Sequence, residues 1–147
     1  MKIAVASDHA GIALRRVVQE RLSASGHQIV DFGTQSEVAV DYPDFAAPVA
    51  RAVRDRHVEL GILVCGTGIG MSIAANKFKG VRAAVCTSEF EARASRAHND
   101  ANILCMGERV VGPGLACCIA EAFVSTAFEG GRHLRRVQKI ADAENER

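Results

Sequence analysis

Leu60-Gly61-Ile62-Leu63-Val64-Cys65-Gly66-Thr67-Gly68-Ile69-Gly70-Met71 is the stretch that decides how this chain is read. Its first half is an apolar run of strand length, the pattern of a parallel strand covered on both faces. The run stops at a cysteine, three alternate glycines follow, and a helix-like segment begins. Glycine has no Cβ, so the backbone there can come close to a ligand. A helix start beyond the glycines offers unpaired N–H groups and the positive end of the helix dipole. The stretch therefore sets a thiol beside a loop suited to holding an anion, in surroundings that favour thiolate. Taken without the cysteine, the same glycines read equally well as an ordinary strand-to-helix turn.

Outward from this stretch, strand-length apolar runs alternate with amphipathic segments of helix length. Strands are predicted over residues 2–7, 27–32, 59–64, 81–86 and 102–106. Residues 12–25 read as a helix with Leu14, Val17, Val18 and Leu22 on one face, stopped by Gly26. Asp44 is placed as the N-cap of a second helix carrying Phe45, Val49, Ala52 and Val53, with Pro48 in its first turn. Further helices are predicted over 69–77 and 89–97. Another starts after Pro113, with Leu115, Cys118, Ile119, Ala122, Phe123 and Thr126 on one face. The last spans 131–144 and carries Leu134, Val137 and Ile140. Five alternations predict an α/β fold: one domain, residues 1–147, with an open parallel five-stranded sheet and helices on both faces, a Rossmann-like three-layer sandwich.

The chain has 147 residues, 48% of them hydrophobic, and a formal net charge of +1. That balance implies no disorder, and no charge-driven partner such as nucleic acid or an anionic membrane. Five cysteines (Cys65, Cys86, Cys105, Cys117 and Cys118) with no CxxC suggest neither a disulfide framework nor a zinc site. Cys117 and Cys118, adjacent on a helix, read as packing residues. Residues 1–5 run straight into a strand pattern, with no signal-peptide pattern and no apolar run of bilayer length. A reducing cytoplasm is the expected setting.

In open parallel sheets, ligands sit outside the carboxyl ends of the strands. Those ends carry Asp8 and His9 after the first strand, Gly33 and then Tyr42 after the second, and Cys65 after the third. Thr87 and Ser88 follow the fourth, and Glu108 and Arg109 the fifth. Each has an ordinary alternative. Asp8 can serve only as a helix cap, His9 as a solvated loop residue, Tyr42 as part of a turn, and Arg109 as a surface charge. Their shared edge is what gives them weight. His98, at the end of the fourth predicted helix, suits either a helix dipole or acid/base work near neutrality. In the acid-free run 132–139, Arg132 and Arg136 share a helix face. They suit a phosphate clamp, or a solvated basic helix that touches RNA by charge alone.

Ser7-Asp8-His9-Ala10-Gly11, Cys65-Gly66-Thr67-Gly68-Ile69-Gly70, Arg96-Ala97-His98-Asn99-Asp100-Ala101-Asn102 and Glu129-Gly130-Gly131-Arg132-His133 through Arg136 together resemble type B ribose-5-phosphate isomerase. The wider group includes the galactose-6-phosphate isomerase subunits, and the resemblance runs over almost the whole chain. It implies interconversion of ribose 5-phosphate and ribulose 5-phosphate without metal or cofactor, in a homodimer or pair of dimers whose sites take residues from two subunits. By the same resemblance Cys65 would be the proton-transfer base, and His98, with Asp8 nearby, would open the furanose ring. Gly66, Thr67, Gly68, Ile69 and Gly70 would bind the enediolate oxygens, with Thr67 counted among the catalytic residues. Tyr42 and Asn99 would contact the sugar, and His9, Arg109, Arg132 and Arg136 the phosphate. Relatives that lack the cysteine carry a glutamate base where Met71 stands. An isomerase of a hexose 6-phosphate, galactose or allose 6-phosphate, needs the same chemistry. A nucleotide-binding regulatory module is the more distant alternative, since the loop departs from the GxGxxG spacing and follows the third strand rather than the first.

Overall fold

The structure, a computed structural model, describes residues 1–146. Five strands, β1 (Lys2–Ser7), β2 (Gln28–Asp31), β3 (Leu60–Cys65), β4 (Ala83–Val85) and β5 (Ile103–Gly107), form one parallel sheet ordered β2-β1-β3-β5-β4. The helices are α1 (Ile12–Ala24), α2 (Tyr42–Arg54), α3 (Ile69–Ala75), α4 (Glu89–Asn99), α5 (Pro113–Ser125) and α6 (Arg132–Ala143). Side chains alternate across each strand, so both faces of the sheet must be covered. On one face Ile3, Val5, Ile62, Val64, Leu104 and Met106 pack against Leu14, Val18 and Leu22 of α1, Ala92 of α4, and Ile119 and Phe123 of α5. On the other, Ala4, Ala6, Leu63, Ile103 and Cys105 meet α2 through Ala46, Val49 and Val53, and α3 through Met71 and Ala75. This is the expected three-layer α/β sandwich. No helix of the described residues is long and apolar enough to cross a membrane.

Several local expectations are corrected. On α1, Val17 is 37% exposed, and Arg15 is buried in its place at 1%. Arg15 donates to Ser7 Oγ at 2.9 Å and lies 3.5 Å from the Asp31 carboxylate, passing where a side chain on Gly33 would stand. The buried stripe of α1 is therefore Leu14, Arg15, Val18 and Leu22. The second helix starts earlier than expected, capped at Asp41 with Pro43 in the first turn, where its fixed φ is preorganised. Asp44 instead sits in that first turn, and Pro48 lies inside the helix. On α5, Leu115 and Cys118 are exposed, and Thr126 lies at the C-cap. That helix buries Ala116, Ala120 and Ala122 beside Ile119 and Phe123, because small side chains let it fit against α1 and α4. Cys117 is only half-buried. The third helix ends at Ala75 and the last at Ala143, each slightly short of expectation.

From β1 the chain moves outward to β2 on one side, and from β3 it moves toward β4 and β5 on the other. The crevice between the carboxyl ends of β1 and β3 is the switch point where such sheets bind ligands.

Candidate active site

Ser7 pairs with Val64 in register, so the residues that follow β1 and β3 emerge side by side. Asp8 is 6% exposed, and its carboxylate accepts the Ala10 N–H at 2.9 Å, capping a single 3₁₀ turn, His9–Gly11. The capping role is real, and the same carboxylate also faces the cleft. His9 Nδ1 accepts the Val40 N–H at 3.2 Å. In the neutral ring this leaves Nε2 carrying the proton and free to donate. The bond also ties the loop after β2 to the loop after β1.

Gly68 has φ +80°, the left-handed region that favours glycine, and forms the start of α3. The turn aims the Gly68 N–H at Cys65 Sγ, 3.1 Å away. Cys65 itself is 5% exposed on the floor of the cleft. The N–H groups of Gly66 and Thr67 make no hydrogen bond within the described residues. Arg109 donates its backbone N–H to the Gly66 carbonyl at 3.1 Å, and its guanidinium lies across Gly66, 3.2 Å from where a Cβ would stand. The Tyr42 ring lies on Gly70, 2.8 Å from the corresponding point. Asp8, His9, Tyr42, Cys65, Thr67 and Arg109, with Gly66 and Gly70, thus enclose a cleft of about 250 Å³. Gly68 and Ile69 belong to the same loop. Glu108, by contrast, is structural: its carboxylate accepts the Leu14 N–H at 3.0 Å and caps α1 from the end of β5.

The sulfur environments differ. Burial pushes the Cys86 thiol up to about 11 and also raises that of fully buried Cys105 well above its usual range. Cys65 is the cysteine whose sulfur receives a backbone N–H, the arrangement that stabilises negative charge there.

Four expected site residues stand elsewhere. Helix α4 begins at the carboxyl end of β4 and runs back along the sheet, and its 11 residues span about 16 Å. Its last turn therefore lies at the amino edge, where the Arg82 guanidinium bonds the Asn99 carbonyl and the Gly61 N–H bonds Asn102. His98 and Asn99 sit there, and the start of α6 joins them. The rings of His98 and His133 stack, centroids 4.5 Å apart and planes 14° off parallel. Arg132 Nε lies 3.5 Å from His133 Nε2, and Arg136 follows one turn later. Within one chain, then, His98, Asn99, Arg132 and Arg136 are not brought to Cys65.

His98, Glu129 and His133 offer ligand atoms within 4.8 Å of one another, a spacing a metal ion could use. The geometry is poor for it, because nearly parallel rings do not aim their lone pairs at one point, and Arg132 adds positive charge.

Sequence reading missed two residues. Gly107 faces Thr67 so closely that a Cβ would lie 2.6 Å from its Cα. Arg15 supports the floor beneath Ser7. The glycine ending β5 was a visible signal for the first; nothing marked the second.

A family model described as Ribose/Galactose Isomerase matches residues 3–140. Ribose-5-phosphate isomerase B of Escherichia coli (strain K12) is 47% identical over 146 residues, covering 99% of this chain and 98% of that one. The solved ribose-5-phosphate isomerase B of Clostridium thermocellum is similar with a TM-score of 0.98 and 51% identity, over 99% of both chains. The ribose-5-phosphate isomerase B of Mycoplasma genitalium, solved with bound ribulose-5-phosphate, has a TM-score of 0.95 and 43% identity, over 99% of this chain and 97% of that one.

Proposed function

Given that the chain belongs to the ribose/galactose isomerase family, among its type B ribose-5-phosphate isomerases, we propose that Cys65 is the base of its reaction and that a second copy of the chain completes the site. The reaction is the aldose–ketose interconversion of D-ribose 5-phosphate and D-ribulose 5-phosphate through an enediolate, a step of the pentose phosphate pathway. His98 of the second copy opens the furanose by moving a proton between the anomeric hydroxyl and the ring oxygen, with Asp8 beside it. The Cys65 thiolate removes the C2 proton. A C1–C2 double bond forms as the carbonyl electrons move onto O1. The O2 proton passes to O1, and as the O2 electrons form the C2 carbonyl the double bond takes the proton back from Cys65 at C1, which gives the ketose. The amides of the Gly66–Gly70 loop and the Thr67 hydroxyl hold the oxygens on which charge develops, a contribution of about 3–4 kcal/mol per donor in comparable sites. His9 Nε2–H and Arg109 grip the phosphate from this chain, and Arg132 and Arg136 grip it from the second copy. Asn99 bonds a sugar hydroxyl, and Tyr42 walls the cleft. Phosphate binding, remote from the reacting carbons, orients them.

The observation that carries this reading is the Gly68 N–H held on the Cys65 sulfur at the sheet's switch point, with two further free amides beside it. A homodimer, or dimer of dimers, is supported by large apolar side chains left in water: Ile69 and Ile73 of α3 beside the cleft, and Phe90 of α4, 78% exposed. Small-molecule chemistry in the cytoplasm, without nucleic acid, suits the near-neutral charge.

The test is Cys65→Ala, assayed with ribose 5-phosphate in the presence of a chelator. Turnover is lost while sugar phosphate still raises the melting temperature; near-normal turnover removes Cys65 as base. Mixing Cys65→Ala with His98→Asn, each inactive alone, restores about a quarter of the activity if each site joins two copies. No recovery on mixing refutes the shared site.

A further inference from the structure

We propose that His133 is a positioning residue for ring opening: it holds the His98 imidazole by stacking and links it to the phosphate-gripping Arg132. The inference rests on the ring-opening role given to His98 above. His98 occupies the last turn of α4, where a helix frays, and its side chain is only half-buried. His133 is buried, 5% exposed, at the start of a different helix, and its ring covers that of His98. The platform is anchored at two points. The His133 N–H bonds the Gly130 carbonyl at 2.9 Å, and the Glu129 N–H bonds the Ala97 carbonyl at 3.0 Å, tying the α5–α6 connection to the end of α4.

The charged groups around His133 decide its protonation. Burial lowers its pKa first; His98, Arg132 and Arg136 lower it further, and Glu129, 3.6 Å from Nε2, opposes them. His133 is therefore neutral at working pH. Its Nε2 is the acceptor for Arg132 Nε at 3.5 Å, which leaves the proton on Nδ1. A neutral ring stacked on His98 fixes the orientation of that imidazole without placing a second charge against it. One side chain thus touches both the ring opener and the phosphate clamp.

Two variants separate stacking from hydrogen bonding. His133→Gln keeps an acceptor and loses the ring; His133→Phe keeps a flat ring and loses the acceptor. Two assays separate ring opening from enolisation. Turnover of ribose 5-phosphate needs the ring opened. Exchange of the C1 proton of ribulose 5-phosphate with D₂O does not, because its O5 carries phosphate and no furanose forms. His133→Gln is expected to lower aldose turnover by about tenfold or more while exchange stays within about threefold of the unaltered enzyme. His133→Phe is expected to keep aldose kcat within about threefold while KM rises. Retained exchange shows that the fold and the Cys65 step are intact. Equal loss on both assays in His133→Gln, or a Phe variant no better than the Gln variant, overturns the proposal. His98→Asn is the control: if it loses both activities alike, the ring-opening role of His98 falls, whereas a split in His98→Asn with none in His133→Gln removes only the role of His133.

Discussion

Gly107→Ala places one methyl group where no side chain can turn aside and only backbone can give way. Gly107 ends β5 opposite Cys65, and a Cβ there would lie 2.6 Å from the Thr67 Cα and carbonyl carbon and 2.8 Å from the Gly66 carbonyl oxygen. All three are backbone atoms, so no side chain can rotate away. An ordinary contact begins near 3.4 Å, and the loop must therefore retreat by about 0.8 Å. Overpacking of this kind costs about 1–3 kcal/mol, which lowers the melting temperature of a chain this size by roughly 3–12 °C. The loop that moves carries the amides assigned to the enediolate. A misplacement near 1 Å at such a site costs about a hundredfold in rate. The expected result is kcat down about a hundredfold on ribose 5-phosphate, with KM raised at most modestly, since of the groups assigned to the phosphate only Arg109, bonded to the Gly66 carbonyl, moves with the loop. Gly112→Ala, where a Cβ meets nothing within 4 Å, serves as the comparison free of a clash. A folded Gly107→Ala enzyme with a lowered melting temperature but kcat within about threefold of the parent would refute the link between loop position and catalysis.

Thiol labelling at pH 8 should modify exposed Cys118 first, and leave Cys86, pushed up to about 11, and fully buried Cys105 untouched until the chain unfolds. Ribose 5-phosphate should protect one further thiol, Cys65; if saturating sugar phosphate protects none, the cysteine does not face the substrate. Acid should act through His133. Its folded pKa lies below its usual 6.5, so the unfolded chain binds the proton more readily. Its contribution to stability is whole above 6.5 and shrinks as pH falls below that value. Melting curves between pH 7.5 and 5.5 should show a smaller loss for His133→Phe than for the parent, and equal losses would exclude His133 as the source.

The strands were legible because a parallel strand buried on both faces must be apolar throughout: β1 has the bounds read from sequence, and β3 ends on the cysteine that marked it. Helix faces were less so. The apolar stripe chosen for α1 included Val17 and excluded Arg15, because hydropathy scores a cation as exposed wherever it stands. Arg15 is buried because Ser7 at the end of β1, and Asp31 with the bare backbone of Gly33 at the end of β2, make room for it from two other parts of the chain. The site divides along the same line. Asp8, His9, Cys65 and Arg109 follow strands, and strand ends at a switch point converge. His98 and Arg132 were found as residue types in motifs, and a motif carries no position. Their place at the amino edge follows from α4 running back along the sheet and from β5 inserting between β3 and β4. Both features are set by contacts remote in sequence.

A base that is an anion and an intermediate that is an anion compete for the same positive groups, and the loop suggests how the competition resolves. The Gly68 N–H is already committed to the Cys65 sulfur, while the Gly66 and Thr67 N–H groups have no partner among the described residues. In the proposed reaction one donor thus serves the sulfur while two stand ready for charge that arrives on the sugar oxygens. As the proton moves to sulfur, a neutral thiol needs the Gly68 donor less, and the enediolate oxygens meet amides that need no reorganisation. The left-handed turn at Gly68 is what separates the two sets, aiming one N–H back at the strand end. Any other residue at that φ would be strained. The spacing of glycines that first drew attention to the loop is, on this argument, a division of donors between base and product of the same proton transfer.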